Sequence, residues 1–262
     1  SPYVSQSSSS SKFSSDNISI YANIDYLLNE STKISFGARW EDYESKYSDS
    51  FNENFNPSDK MSGGKISLTK NINEQTNIFF NLAKGFNQGG FNLNLGLDPN
   101  SQNNNLYYDP EFLTNYEIGF NSEISNSKIN ISGIIFHSNR EDQQVLISTQ
   151  VDPSDPNTFT FLTQNAAEGI NRGLELNMTM QVSNSLDVFF NLGLLKTEIK
   201  NWESRPDLEG RAQAHAPEKS YAFGLNWNPF KNSFLSINFV GKSDFYYSDS
   251  HNNKSKSYVL TN

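Results

Sequence analysis

The sequence predicts an all-β protein, an antiparallel transmembrane β-barrel represented here by about eleven meandering strands. Three observations predict it. Apolar and polar residues alternate at period two over long segments, short Asn/Ser-rich turns alternate with long polar connections, and aromatics reach 13% in a chain that is only 35% hydrophobic. A soluble sandwich has no reason to keep one end of its hairpins short and the other long, whereas a barrel threaded through a membrane does. Mean hydropathy is −0.63. That value fits strands with one face toward lipid and one toward a wet lumen, because a disordered chain of similar polarity would be poor in aromatics.

The elements follow in order. Ser7–Ser11 is a serine run in a solvated opening. Ile18, Ile20, Ala22, Ile24, Tyr26 and Leu28 then share one strand face, with Ser19, Tyr21, Asn23, Asp25 and Leu27 on the other. After Asn29-Glu30-Ser31 the next strand sets Ile34, Phe36, Ala38 and Trp40 against Lys33, Ser35, Gly37, Arg39 and Glu41. Strands centred near 66 and 80 flank the turn Asn71-Ile72-Asn73-Glu74, although Phe79 interrupts the polar face of the second. Tyr116, Ile118 and Phe120 alternate with Asn115, Glu117, Gly119 and Asn121; after Ser125-Asn126-Ser127, the strand near 135 carries Ile or Phe on both faces. Leu174, Leu176, Met178, Met180 and Val182 oppose Glu175, Asn177, Thr179 and Gln181, ahead of Ser183-Asn184-Ser185 and a strand near 191. Tyr221, Phe223, Leu225 and Trp227 form the strand before Pro229-Phe230-Lys231-Asn232; one more follows near 239, then an incomplete one at Tyr258–Asn262. The long connections fall at 48–60, 86–111, 148–163, 199–217 and 248–255.

Several function classes are excluded. There is no Cys, hence no disulfide framework or thiolate chemistry. A net charge of −9 is the wrong sign for a phosphate-backbone binder, so no nucleic-acid partner is expected. Apolar stretches such as Ile134-Ile135-Phe136 and Val145-Leu146-Ile147 fall far short of the ~20 residues of a membrane helix. Glu41-Asp42 and Glu141-Asp142 are adjacent on strands and point to opposite faces, so neither pair shares a substrate. His137, His215 and His251 lie on separate segments without metal-ligand spacing. Gly85…Gly89-Gly90 lacks the following Gly-Lys-Ser/Thr of a phosphate loop, and Asp152-Pro153-Ser154-Asp155-Pro156 reads as a solvated hairpin tip rather than a calcium loop. No enzyme activity, catalytic residue, metal site or cofactor is expected.

Aromatics gather at two levels, as the interfacial girdles of a barrel would. Trp40, Tyr43, Tyr47, Tyr107, Tyr108, Phe112, Phe245, Tyr246 and Tyr247 lie where strands meet long loops; Tyr26, Trp227, Phe230 and Phe234 lie beside short turns. Gly89 and Gly90 are expected to allow a sharp strand exit at positive φ. Pro110 suits the start of a strand. Asn115, Glu117, Glu175 and Asn177 share the polar parity and are expected to line the lumen.

Four segments occur in order: Phe80-Asn81-Leu82-Ala83-Lys84-Gly85-Phe86-Asn87-Gln88-Gly89-Gly90-Phe91-Asn92; Tyr108-Asp109-Pro110-Glu111-Phe112-Leu113-Thr114-Asn115-Tyr116-Glu117-Ile118-Gly119; Gln164-Asn165-Ala166-Ala167-Glu168-Gly169-Ile170-Asn171-Arg172-Gly173-Leu174-Glu175-Leu176; and Arg211-Ala212-Gln213-Ala214-His215-Ala216-Pro217-Glu218-Lys219-Ser220. Together they resemble the TonB-dependent outer-membrane receptors. The resemblance implies a bacterial outer-membrane location among lipid. It also implies uptake of a scarce nutrient, a ferric siderophore or related iron complex foremost, powered through the TonB complex. It further implies an N-terminal plug, against which Asn115, Glu117, Glu175 and Asn177 would pack. Within the 86–111 connection, Asn87, Gln88, Phe91 and Tyr107 are the candidate ligand contacts, and 199–217 is the second candidate loop. A passive porin and a surface adhesin are the alternatives. The chain opens at Ser1-Pro2-Tyr3 and stops inside a strand pattern. One partial barrel domain over residues 1–262, without plug or signal peptide and open because its strand count is odd, is therefore the expectation.

Overall fold

The structure, a computed structural model, describes residues 10–50, 54–92, 106–124, 128–150, 154–155, 159–165, 168–202, 205–249 and 251–262. Its strands are β1 (Ser11–Asn29), β2 (Thr32–Asp49), β3 (Asn54–Phe55), β4 (Ser58–Asn71), β5 (Thr76–Asn87), β6 (Gly90–Phe91), β7 (Tyr107–Tyr108) and β8 (Glu111–Ile124). They continue with β9 (Ile129–Glu141), β10 (Gln144–Gln150), β11 (Phe159–Asn165), β12 (Glu168–Ser183), β13 (Leu186–Lys200), β14 (Lys219–Trp227), β15 (Leu235–Lys242) and β16 (Tyr258–Thr261). The main sheet runs β1-β2-β4-β5-β8-β9-β12-β13-β14-β15-β16, with β3 added to β2. Every pairing along it is antiparallel, and the sheet is open at β1 and β16.

The short turns close through the residues that made them legible. Ser31 N–H donates to Asn29 Oδ1 (3.0 Å), Gln75 N–H to Asn73 Oδ1 (2.8 Å), Ser185 N–H to Ser183 Oγ (3.2 Å) and Phe230 N–H to Ser233 Oγ (2.8 Å). Asn and Ser side chains thereby mimic a backbone turn and satisfy its donors. The turn Ser125-Asn126-Ser127, Ser7–Ser9, residues 93–105 and most of Asp152–Pro156 lie outside the described residues.

Register carries one apolar face across the sheet. Ile34 opposes Leu68, Leu68 opposes Phe80, Phe80 opposes Ile118, Ile118 opposes Ile135, Ile135 opposes Leu174 and Leu174 opposes Leu194. Leu68, Phe80, Ile118, Ile135 and Leu194 are exposed, Ile118 at 59% and Ile135 at 57%, while Ile34 and Leu174 are half-buried. Burial is inverted on the opposite face, where Glu41, Ser45, Glu111, Ser138 and Thr197 are buried beneath loops. An apolar outside and a covered polar inside is the arrangement of a lipid-facing wall. The Phe79 that breaks the polar pattern has a structural reason, because its ring lies where a Cβ on Gly119 would stand, 2.5 Å away.

Three expectations are corrected. The 148–163 connection contains a hairpin, since β10 and β11 pair from Gln144↔Asn165 to Gln150↔Phe159. Its apolar side, Val145 and Leu162, is buried, and Val145 joins Ile199, Trp202 and Leu208 in a small cluster under the loops. Gly89 and Gly90 do not have positive φ; Gly210 is the positive-φ glycine among the described residues. They are instead required by close approach, because a Cβ would meet the Tyr107 hydroxyl and, at 2.6 Å, the Tyr108 carbonyl (Gly89), or the Tyr108 ring (Gly90). Finally, Tyr43 and Tyr47 leave the girdle: their odd positions on β2 put them on the inner face, 7% and 2% exposed. Tyr107 leaves it too, drawn inward by Asp59, and Tyr246 is enclosed between Arg211 and Lys254. Trp40, Tyr26, Trp227, Phe230 and Phe234 remain exposed.

Candidate functional site

Parity places the polar side chains, and the loops then connect them. At the long-loop end of the inner face a continuous hydrogen-bonded belt runs from β1 to β13. Asn17 Nδ2 donates to Glu41 Oε1 (2.9 Å), which also accepts from Gln88 Nε2, while Arg39 holds the other oxygen. Gln144 Nε2 donates to the Gln88 carbonyl (2.7 Å), and Asn87 Nδ2 donates to Gln144 Oε1 (2.8 Å). The Gln144 amide reaches Glu111 Oε2 (3.0 Å), whose other oxygen accepts from Arg140 Nε (2.6 Å). Arg140 Nη1 continues to Gln213 Oε1 (3.2 Å), and the Gln213 amide ends the belt on Thr197 Oγ1 (2.9 Å). Glu41 and Glu111 are almost fully buried, so each carboxylate needs the cation and amides it has. The belt ties three long connections, those after β5, β9 and β13, to the wall.

A second tier lies nearer the turns. Asn81 Nδ2 and Asn115 Nδ2 donate to the two oxygens of Glu117 (3.1 and 2.7 Å), and Ser138 Oγ donates to Asn115 Oδ1 (2.7 Å). The structure thus joins Asn115 to Glu117. It does not join them to Glu175 or Asn177, which stand exposed on β12 with no partner among the described residues. Asn177 borders a polar cleft of about 580 Å³ shared with Asn77, Asn121, Ser132 and Thr179.

The four loop candidates are also gathered, though into packing. Phe91 stacks on Tyr47 (5.3 Å between centroids) and meets Phe13 and Tyr107 edge-on (5.7 and 5.3 Å). Tyr107 donates to Asp59, and burial followed by that bond pushes its phenol well above the ordinary range, so it stays a donor. Asn87 and Gln88 are in the belt. These residues therefore hold the described ends of the connection between β5 and β8, residues 88–92 and 106–110, over the inner face. Sequence reasoning missed Arg140, Gln144, Gln213 and Thr197. The parity of Arg140 was available, but its partner Gln213 lies 73 residues away on a loop.

Among the described residues no cluster of His, Asp or Glu could hold a metal ion. His137 bonds Asn139, His215 lies against Phe245, and His251 accepts from the Asn253 amide. What the arrangement offers is a wall of amides, hydroxyls and paired carboxylates, suited to hydrogen-bonded binding.

An antiparallel meander with an apolar exterior and loops folded over a polar interior defines the wall of a transmembrane β-barrel. The family model described as TonB dependent receptor-like, beta-barrel matches residues 1–262, and the chain belongs to that family. Barrels of this family are outer-membrane proteins, and the structural neighbours are transport receptors. The ferric yersiniabactin uptake receptor FyuA from Yersinia pestis superposes with a TM-score of 0.76 at 15% identity, over 97% of this chain and 38% of that one. The siderophore receptor PiuA from Acinetobacter baumannii gives 0.76 at 18%, over 95% and 36%. The copper transporter OprC gives 0.71 at 12%, over 94% and 40%. At these identities the likeness is one of fold, and the chain spans two-fifths or less of each neighbour.

Proposed function

We propose that this chain forms part of the wall of an outer-membrane receptor that takes up a scarce nutrient complex, a ferric siderophore or related iron chelate, with energy relayed through TonB. The observation that carries the reading is the belt: three long connections are fastened across the inner face by buried carboxylates and amides. Such fastening fits a receptor that presents a shaped mouth to a large solute better than a simple pore. Asn87, Gln88, Phe91 and Tyr107 set the posture of one rim loop, while Asn115, Glu117, Glu175 and Asn177 offer the polar wall to a plug. Ferric yersiniabactin uptake by FyuA and the siderophore receptor role of PiuA support iron, and copper transport by OprC makes copper the competing cargo.

The test is growth of a deletion strain under chelation, with ferric citrate, a ferric hydroxamate, a ferric catecholate or haem as the sole iron source, and a parallel copper-limited arm. Growth should fail on one iron source and return with the intact gene only when TonB is present. Indifference to every iron source would overturn the iron reading. Restoration without TonB would mark a passive channel.

A further inference from the structure

We propose that the outward face of β9, β12 and β13 holds the phosphate of an anionic membrane lipid at the row His137–Arg172–Lys196. The inference rests on the membrane-wall reading and adds a ligand to its outside. Arg172 stands directly opposite His137 on one side and Lys196 on the other. All three have the outward parity of Ile135, Leu174 and Leu194, which lie one step nearer the turns. Arg172 and Lys196 are exposed, and neither forms an ion pair among the described residues. Like charges directly opposite in an antiparallel ladder are destabilising, so this pair of cations calls for an anion between them.

The acids on the same face do not supply it in full. Glu198, two residues beyond Lys196, is bonded to Lys200; Glu168, opposite Lys200, accepts from Asn201. Glu198 also feels the charges of Lys196 and Arg172, but it is shared with Lys200 and, like Glu168, lies farther toward the loops, so the row keeps a net positive charge. His137 bonds Asn139 and has Tyr116 beside it, ring centroids 6.5 Å apart, on the outward face at the edge of the apolar band. A tyrosine at that level marks the water–lipid boundary. A guanidinium grips phosphate in a fork, and an ammonium beside it adds a point charge. The row is continuous with the apolar band, so a molecule with acyl chains reaches Leu174, Leu194 and Ile135 while its phosphate meets the row. Free phosphate gains only the second contact.

The full-length receptor in dodecyl maltoside is offered phosphatidylglycerol, phosphatidylcholine of the same chains, or inorganic phosphate, and retained lipid is read by native mass spectrometry. Phosphatidylglycerol should be retained about tenfold better than phosphatidylcholine, as two surface cations near an anionic headgroup imply. The preference should fall toward unity in R172Q/K196Q and in the single variant K196Q by part of that amount. It should survive K70Q, which removes an exposed outward lysine at the short-turn end. Millimolar inorganic phosphate should not displace the lipid. Equal retention of the two lipids, an undiminished preference in the variants, or displacement by free phosphate would overturn the proposal. A full-length protein soluble without detergent would sink the membrane reading itself, whereas a detergent-dependent receptor blind to headgroup charge would sink only this inference.

Discussion

Arg140 and Glu111 illustrate how much one pair can decide. They sit on neighbouring strands, 24% and 10% accessible at the side chain, and the belt passes through both. Glu111 also takes the Gln144 amide, so losing Arg140 leaves a mostly buried carboxylate held by one neutral donor. R140Q should cost about 2 kcal/mol, in the range of a charged hydrogen bond. In a double-mutant cycle with E111Q the pair should couple by at least about 1 kcal/mol. Equilibrium urea unfolding of the refolded full-length receptor reads both, and independent, additive effects would remove the pair from any structural role. At this scale the sequence was half legible. Period two set Glu41 on the face opposite Ile34 and Trp40, because a strand has no other way to point its side chains; on β9, where Ile or Phe falls on both faces, it did not single out Arg140. It could not give the partners, which reach across loops whose path no periodicity encodes.

Among elements, the connection after β13 shows how a loop acquires a fixed shape. Leu208, in the 3-10 turn Pro206–Leu208, is buried with Ile199 and Trp202, which anchors the loop's first half. Arg211 anchors the second. Its guanidinium donates to the carbonyls of His251 (2.9 Å) and Ser248 (2.6 Å) and lies 4.2 Å from the Tyr246 ring centroid, with the Lys254 ammonium also over that ring, 4.4 Å from its centroid. Burial pulls the Arg211 pKa below its usual value, yet these acceptors suit the cation. The Ala214 amide adds a bond to Asp249 Oδ1 (2.7 Å) and the His215 amide one to the Tyr246 carbonyl (2.8 Å). R211A should therefore free this loop from the connection before β16 without disturbing the sheet. Hydrogen exchange at the Ala214 and His215 amides should quicken about tenfold or more, from the loss of charged hydrogen bonds worth at least about 1.5 kcal/mol. Unchanged exchange there, or equal quickening in β12 and β13, would refute the clamp. Most strands of the meander were legible because they are long and alternating; those near 80 and 135 broke the pattern and were legible mainly from their place between turns. The hairpin of β10 and β11 was not, since Gln144-Val145-Leu146-Ile147-Ser148 lacks clean alternation and its order comes from docking Val145 on Ile199 and Trp202.

For the molecule as a whole, the decisive property is which face meets lipid, and neighbouring residues can test it. Leu176 lies at the middle of β12, opposite Gly133 and Leu192 on the apolar face; Asn177, next in sequence, opposes Ser132 and Asn191 on the polar face. Both positions share one strand, one depth and nearly one backbone environment, so propensity and local hydrogen bonding cancel between them. Only the medium facing each side chain differs. An arginine on the lipid face near mid-membrane costs about 2–4 kcal/mol, while a lumen position tolerates it. L176R should therefore destabilise the full-length receptor in phosphatidylcholine vesicles by that amount, and N177R by about 1 kcal/mol or less. The alternation of short turns and long loops cannot make this distinction, since it orients the ends of the strands and not their faces. The parity of the apolar residues does make it. If N177R were the costlier variant, the buried belt would lie on the lipid side, and both the receptor mouth and the outward lipid row would have to be abandoned together.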